Sequence, residues 1–208
     1  MKCSICNQQD AKFACGACER SVYCSIVCAR LDTIEKHVHA ENLADLIEMP
    51  KRSSSWGNVY IGSVAALNDK DVMSNIQAVL SVLHTSKSGK DGLISTMYLK
   101  QLVKPLPHLH VSIYDESKAP IERYFDEMAD FIQLHIRQGH NVLVHCHAGM
   151  SRSVTAVLYY MLKYRGYTSV EEALKTVKRS RPIAHPNKGF IKKLKKTAIS
   201  AISQEIAE

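Results

Sequence analysis

The stretch His145-Cys146-His147-Ala148-Gly149-Met150-Ser151-Arg152-Ser153 holds the residues best suited to covalent chemistry. It follows Asn141-Val142-Leu143-Val144, an apolar run that reads as a buried strand, and it leads into Ser151–Arg165, a run rich in Val, Leu and Tyr that reads as a helix. A turn that wraps a tetrahedral anion needs inward-facing backbone N–H groups, a glycine that lets the chain close, and a helix N-terminus whose dipole favours negative charge. This stretch offers all three. The same field stabilises a thiolate, so Cys146 is expected to ionise below the range of a free cysteine and to act as a nucleophile. Arg152, separated from Cys146 by five residues, presents a planar fork that matches two phosphoryl oxygens. Ser153 is placed to donate its hydroxyl to the sulfur when that must leave. His147, Ala148, Gly149, Met150, Ser151 and Arg152 would surround the bound anion, and His145 would orient the loop through hydrogen bonds without moving a proton.

A second constellation lies at the other end of the chain. Six of the seven cysteines fall in the first 28 residues, as Cys3 and Cys6, Cys15 and Cys18, then Cys24 and Cys28. Two tetrahedral zinc sites need eight ligands, and His37 and His39 bring the count to eight. Glu41 competes with His39 for the last place, because on a regular helix it shares a face with His37 whereas His39 does not; imidazole is the better zinc ligand, which favours His39. So short a segment buries too little apolar surface to fold alone, so two structural zinc ions are expected to serve as its core. Sites with no open coordination position point to partner binding, not catalysis.

The elements that must position these groups are legible in outline. The chain has 208 residues, 46% hydrophobic and 23% charged, enough for one full domain and a small module. Residues 1–50 carry five Lys+Arg and seven Asp+Glu, which leaves 22 and 13 downstream, a net of +9 that suits a phosphorylated substrate. Charge alone would equally suit nucleic acid, but the lysine run Lys188, Lys192, Lys193, Lys195 and Lys196 reads as the solvated face of a helix. The longest apolar stretch, Ala156–Leu162, is too short to span a bilayer, and the expectation is a chain of the reducing cytoplasm or nucleus. Met49–Ser55 breaks every periodicity and reads as a linker, giving expected boundaries of 1–48, 49–55 and 56–208. Downstream, strands are expected at Asn58–Ile61, Ala78–Leu83, His108–Tyr114 and Asn141–Cys146. Helices are expected around Val64–Ile76, after Pro120 up to Gly139, and over Ser151–Arg165, Val170–Arg179 and Lys188–Ile202. Alternating strands and helices imply an α/β fold with a mostly parallel central sheet flanked by helices.

The loop His145–Ser153 resembles the H-C-x5-R-[ST] signature of cysteine-dependent protein tyrosine phosphatases. Val59-Tyr60-Ile61-Gly62-Ser63 and Arg181-Pro182 to Pro186-Asn187-Lys188-Gly189-Phe190 are similar to the first strand and the closing segment of the dual-specificity branch. The resemblance covers roughly residues 56–200. It implies a metal-independent hydrolase that works through a phosphocysteine, with Asn187 helping to hold the loop. It also implies an aspartate that protonates the leaving oxygen and then activates water. Asp115, at the end of the third expected strand, occupies that place, with neighbouring Glu116 as the substitute. Residues Cys3 to about Glu41 resemble the MYND zinc finger and, more distantly, the HIT-type finger. The resemblance implies interleaved ligation, Cys3, Cys6, Cys24 and Cys28 on one zinc, and Cys15, Cys18 and the histidine end on the other. The chain departs from the family's closing His-x3-Cys, having no cysteine there.

The expected activity is hydrolysis of phosphotyrosine and phosphoserine/threonine in proteins, with the finger selecting partners. A catalytically dead phospho-ligand binder would need a damaged Cys146, Arg152 or Asp115, and all three are intact. The loop lacks the lysines expected for phosphoinositide substrates. An RNA 5′-triphosphatase uses a related loop and is the remaining alternative.

Overall fold

The computed structural model describes residues 13–14, 22–23, 43–49, 53–86 and 94–205. All eight expected zinc ligands, and Glu41, lie outside the described residues. Of the N-terminal segment, β1 (Phe13–Ala14) pairs antiparallel with β2 (Val22–Tyr23).

The central sheet has five strands, β3 (Ala44–Leu46), β4 (Val59–Gly62), β5 (Ala78–Val82), β6 (His108–Val111) and β7 (Val142–His145), in the order β3-β4-β7-β5-β6. The last four run parallel, and β3 is an antiparallel edge. β5 and β7 are buried along their whole length, as expected of Val/Leu-rich strands covered on both faces. β3 falls within the expected module 1–48, yet it is hydrogen-bonded along β4, and Ile47 is buried in the main core. Three residues are too few to show a period of two, so the sequence pattern carries no strand signal there.

On one face lie helices α3 (Phe125–Arg137), α4 (Arg152–Tyr164), α5 (Val170–Ser180) and α6 (Lys188–Glu205). They cover the sheet with Met128, Ile132, Val157, Met161, Val177 and Leu194, among others. The opposite face is covered by the 3-10 turn Val64–Asn68 and by α2 (Thr96–Val103), through Leu67, Leu99 and Val103. The helical spacing read over Val64–Ile76 is split between that turn and the short α1 (Lys70–Ser74), because Asp69 stops one and caps the other by accepting from Val72 N–H at 2.9 Å. Likewise the helix expected from Pro120 begins as a 3-10 turn, Ile121–Tyr124, before α3. Gly139, at φ +83°, ends α3 in the left-handed conformation that a side chain would resist. α2 has no counterpart among the expected helices. Among the described residues no helix is long and apolar enough to cross a membrane.

Parallel pairing aligns the strand ends. Gly62 of β4 and Ser81 of β5 both lie opposite His145 of β7, so Cys146 emerges at the carboxyl edge of the sheet. Ligands in open α/β sheets bind at that edge.

Candidate active site

The Cys146 side chain is buried at the floor of the loop, with Gly149 N–H donating to its Sγ at 3.2 Å and the Ser153 hydroxyl at 3.3 Å. Burial pushes the thiol up, but the Arg152 charge, the Ser153 hydroxyl and N–H, and the Gly149 N–H together outweigh it and hold the thiol below its ordinary range. Gly149 sits at φ +69°, and a Cβ there would collide with the Arg181 guanidinium and the Gly62 carbonyl. Only glycine closes the turn this tightly.

Ser151 stands at the start of α4, yet its hydroxyl does not cap the helix. It donates instead to Asp115 Oδ1 at 2.7 Å and accepts from Asn187 N–H at 3.1 Å. Asn187 Nδ2 donates to the same Asp115 oxygen at 2.7 Å, while its own Oδ1 accepts from Phe190 N–H at 2.9 Å. Arg152 Nε lies 3.5 Å from Asp115 Oδ2, and its Nη1 donates to the Ile113 carbonyl. Two donors occupy Oδ1, and Oδ2 faces the Arg152 guanidinium. Asp115 and not Glu116 meets the loop: the Glu116 side chain is exposed, and its carbonyl closes a turn on Ala119 N–H.

His145 is wholly buried and its pKa is pushed down to about 3, chiefly by burial, with the Cys146 carbonyl opposing and His108, His110 and Arg152 reinforcing the shift. The ring is therefore neutral. Nδ1 faces the Cys146 carbonyl at 3.3 Å, and a carbonyl can only accept, so Nδ1 carries the hydrogen. Nε2 then accepts from the Ser81 hydroxyl at 2.6 Å, and Ser81 in turn accepts from His108 Nε2 at 2.8 Å. Burial, with His110 and Lys100 nearby, lowers His108 to about 4, which keeps this chain uncharged. Ser81 and the Cys146 carbonyl thus hold the His145 ring in one tautomer.

Above the loop a cleft is lined by Asp115, Ala148, Met150, His185, Asn187 and Lys188.

The sequence of residues 59–199 matches the family model for the dual specificity phosphatase catalytic domain. The chain belongs to the dual specificity phosphatase family. It is 35% identical over 168 residues to dual specificity protein phosphatase 1 of Arabidopsis thaliana, an alignment that spans 79% of this chain and 74% of the relative. Its fold matches the crystal structure of DUSP15 at TM-score 0.59 and 28% identity, over 74% of this chain and 88% of that one. The Yvh1 phosphatase domain from Chaetomium thermophilum matches at TM-score 0.60 and 25% identity, over 76% and 97%. The chain is thus a cysteine-dependent protein tyrosine phosphatase of the dual-specificity kind.

In this phosphatase the expected residues Cys146, Gly149, Ser151, Arg152, Ser153, Asp115 and Asn187 converge on one place, with His145 beneath them. His147 and Met150 contribute through the backbone: the His147 carbonyl accepts from Val64 N–H and the Met150 carbonyl from His185 N–H, pinning the loop's rim. The support behind the loop has no signature in the sequence. Ser81 and His108 fix the His145 tautomer, and the fully buried Arg181 donates Nε to the Gly149 carbonyl at 2.7 Å and Nη2 to the Ala148 carbonyl at 3.2 Å. An arginine inside Ser180-Arg181-Pro182 carries no local signal of burial; its basic neighbours Lys178 and Arg179 are both exposed.

Proposed function

We propose that this phosphatase hydrolyses phosphotyrosine and phosphoserine/threonine side chains of proteins in two steps through a phosphocysteine. The Cys146 thiolate attacks phosphorus, and the bond from phosphorus to the substrate oxygen breaks as Asp115 delivers its proton to that oxygen. The dephosphorylated side chain leaves. Asp115, now a carboxylate, takes a proton from water, whose oxygen attacks phosphorus. The P–S bond breaks, the Ser153 hydroxyl stabilises the departing thiolate, and inorganic phosphate is released. Arg152 turns its fork from Asp115 and the Ile113 carbonyl to the phosphoryl oxygens, reinforcing the loop amides as charge builds.

The observation that carries this reading is the Cys146 sulfur held between the Gly149 amide and the Ser153 hydroxyl, with Asp115 fixed across the loop by Ser151 and Asn187. A phosphoprotein substrate is favoured over nucleic acid because lysines of α6 are engaged within the domain, Lys193 with Glu122 and Lys195 with Glu171. Residues 1–42 are proposed to bind two zinc ions through Cys3, Cys6, Cys15, Cys18, Cys24, Cys28, His37 and His39, and to dock a protein partner.

Cys146→Ser tests the chemistry. It should abolish hydrolysis of para-nitrophenyl phosphate and of phosphopeptides while the folded protein still binds a phosphotyrosine peptide, because the loop amides and Arg152 remain. Retained turnover would overturn the covalent mechanism.

A further inference from the structure

Arg181 is 0% exposed, and a guanidinium stays charged at every physiological pH. Such a charge in a low-dielectric site is tolerated only with a counter-charge, and Asp45 on β3 supplies it by accepting from Nη1. Nη2 and Nε of the guanidinium donate to the Ala148 and Gly149 carbonyls from behind the catalytic loop. A trans peptide points its C=O and N–H in opposite directions. The peptide whose carbonyl Arg181 holds at Ala148 is therefore the one whose Gly149 N–H reaches Cys146 Sγ. The next peptide, held through the Gly149 carbonyl, directs its Met150 N–H away from Arg181 in the same way. Hydrogen bonding of a carbonyl to a cation also polarises the peptide and strengthens its N–H as a donor.

We infer that Asp45 is a positioning residue for catalysis: by fixing Arg181 it aims and polarises the loop amides that receive the thiolate and the transferred phosphoryl group. This rests on the proposed phosphocysteine mechanism and extends it to the edge strand. The chain enters β3 directly from residues 1–42, so the strand carrying Asp45 is also where the N-terminal segment joins the catalytic sheet. Asp45 is 136 positions from Arg181 and belongs to no catalytic motif, yet its carboxylate lies one side chain away from the loop.

The test compares wild type, Asp45→Ala and Asp45→Asn, each full length and shown to be folded by circular dichroism. Three quantities are read: kcat on para-nitrophenyl phosphate, the inhibition constant of inorganic phosphate, and the iodoacetate alkylation rate of Cys146 at fixed pH. Asp45→Ala should lower kcat about tenfold, weaken phosphate inhibition by a comparable factor and slow alkylation, as expected when preorganised donors lose their aim. Asp45→Asn keeps an acceptor for Nη1 and should fall between. A purely structural role would lower the melting temperature and leave phosphate inhibition and alkylation within twofold of wild type, which overturns the inference. Should Asp45→Ala not fold, Asp45→Asn decides by the same criteria. A wild-type enzyme whose Cys146 resists alkylation near neutral pH would instead break the phosphocysteine reading itself, so the two failures are distinct.

Discussion

Replacing Ser151 by alanine should uncouple the acid from the loop without touching the nucleophile. The hydroxyl donates to Asp115 Oδ1 at 2.7 Å and accepts from Asn187 N–H, so its loss removes one of two hydrogen bonds on that oxygen and strands an amide that is partly buried. As the acid Asp115 is a neutral carboxyl, and a hydrogen bond between neutral groups contributes about 0.5–1.5 kcal/mol. The Asp115 side chain is 32% exposed and Asn187 Nδ2 remains on it, so about 0.5–1 kcal/mol of positioning is the reasonable share. That converts to about 2- to 5-fold in any step that depends on Asp115 as acid. The assay is kcat/KM on aryl phosphates of graded leaving-group ability, in wild type, Ser151→Ala, Asp115→Asn and the double variant. Ser151→Ala should slow phenyl phosphate by that factor and para-nitrophenyl phosphate much less, since a good leaving group departs without the proton. In the Asp115→Asn background the same change should add almost nothing, because the two act as one unit. Equal losses on both substrates, or full additivity, would show that Ser151 serves the anion-binding loop and not the acid.

Acidification should destabilise the fold before the carboxylates titrate. The folded pKa values of His145, about 3, and His108, about 4, lie below the unfolded value of about 6.5, so the unfolded chain takes up protons that the folded one refuses. Stability is then fully present above about pH 6.5 and falls as the pH drops toward 4. The slope approaches about 1.4 kcal/mol per pH unit for His145 and is a fraction of that for the partly exposed His108; urea midpoints at pH 7.5, 6 and 5 measure it, and His108→Gln should flatten part of it. For the N-terminal module, native mass spectrometry should count two zinc ions per chain, with one meaning that His37 and His39 complete no second site. Chelation should spare turnover of para-nitrophenyl phosphate, because the thiolate mechanism uses no metal, and should weaken turnover of a protein substrate docked through the finger.

Cys146, Arg152 and Ser153 could be read from the sequence because their relation is covalent. Within a loop of nine residues, the spacing itself places sulfur, guanidinium and hydroxyl around one point, and the apolar strand before and the helix after are both encoded by local pattern. Asp115 and Asn187 were legible only through resemblance to a family, since nothing near them in the chain marks their purpose. What tertiary structure alone decided is the support. Ser81 reaches His145 across 64 positions, Asp115 meets Ser151 across 36, and Asp45 meets Arg181 across 136. Parallel strand pairing brings Ser81 beside His145, and antiparallel pairing of β3 along β4 brings Asp45 to the edge beside the loop. An arginine, a serine and an aspartate have the same local propensities whether solvated or buried; burial, and the partner it forces each of them to find, is a property of the folded neighbourhood and not of the chain around the residue.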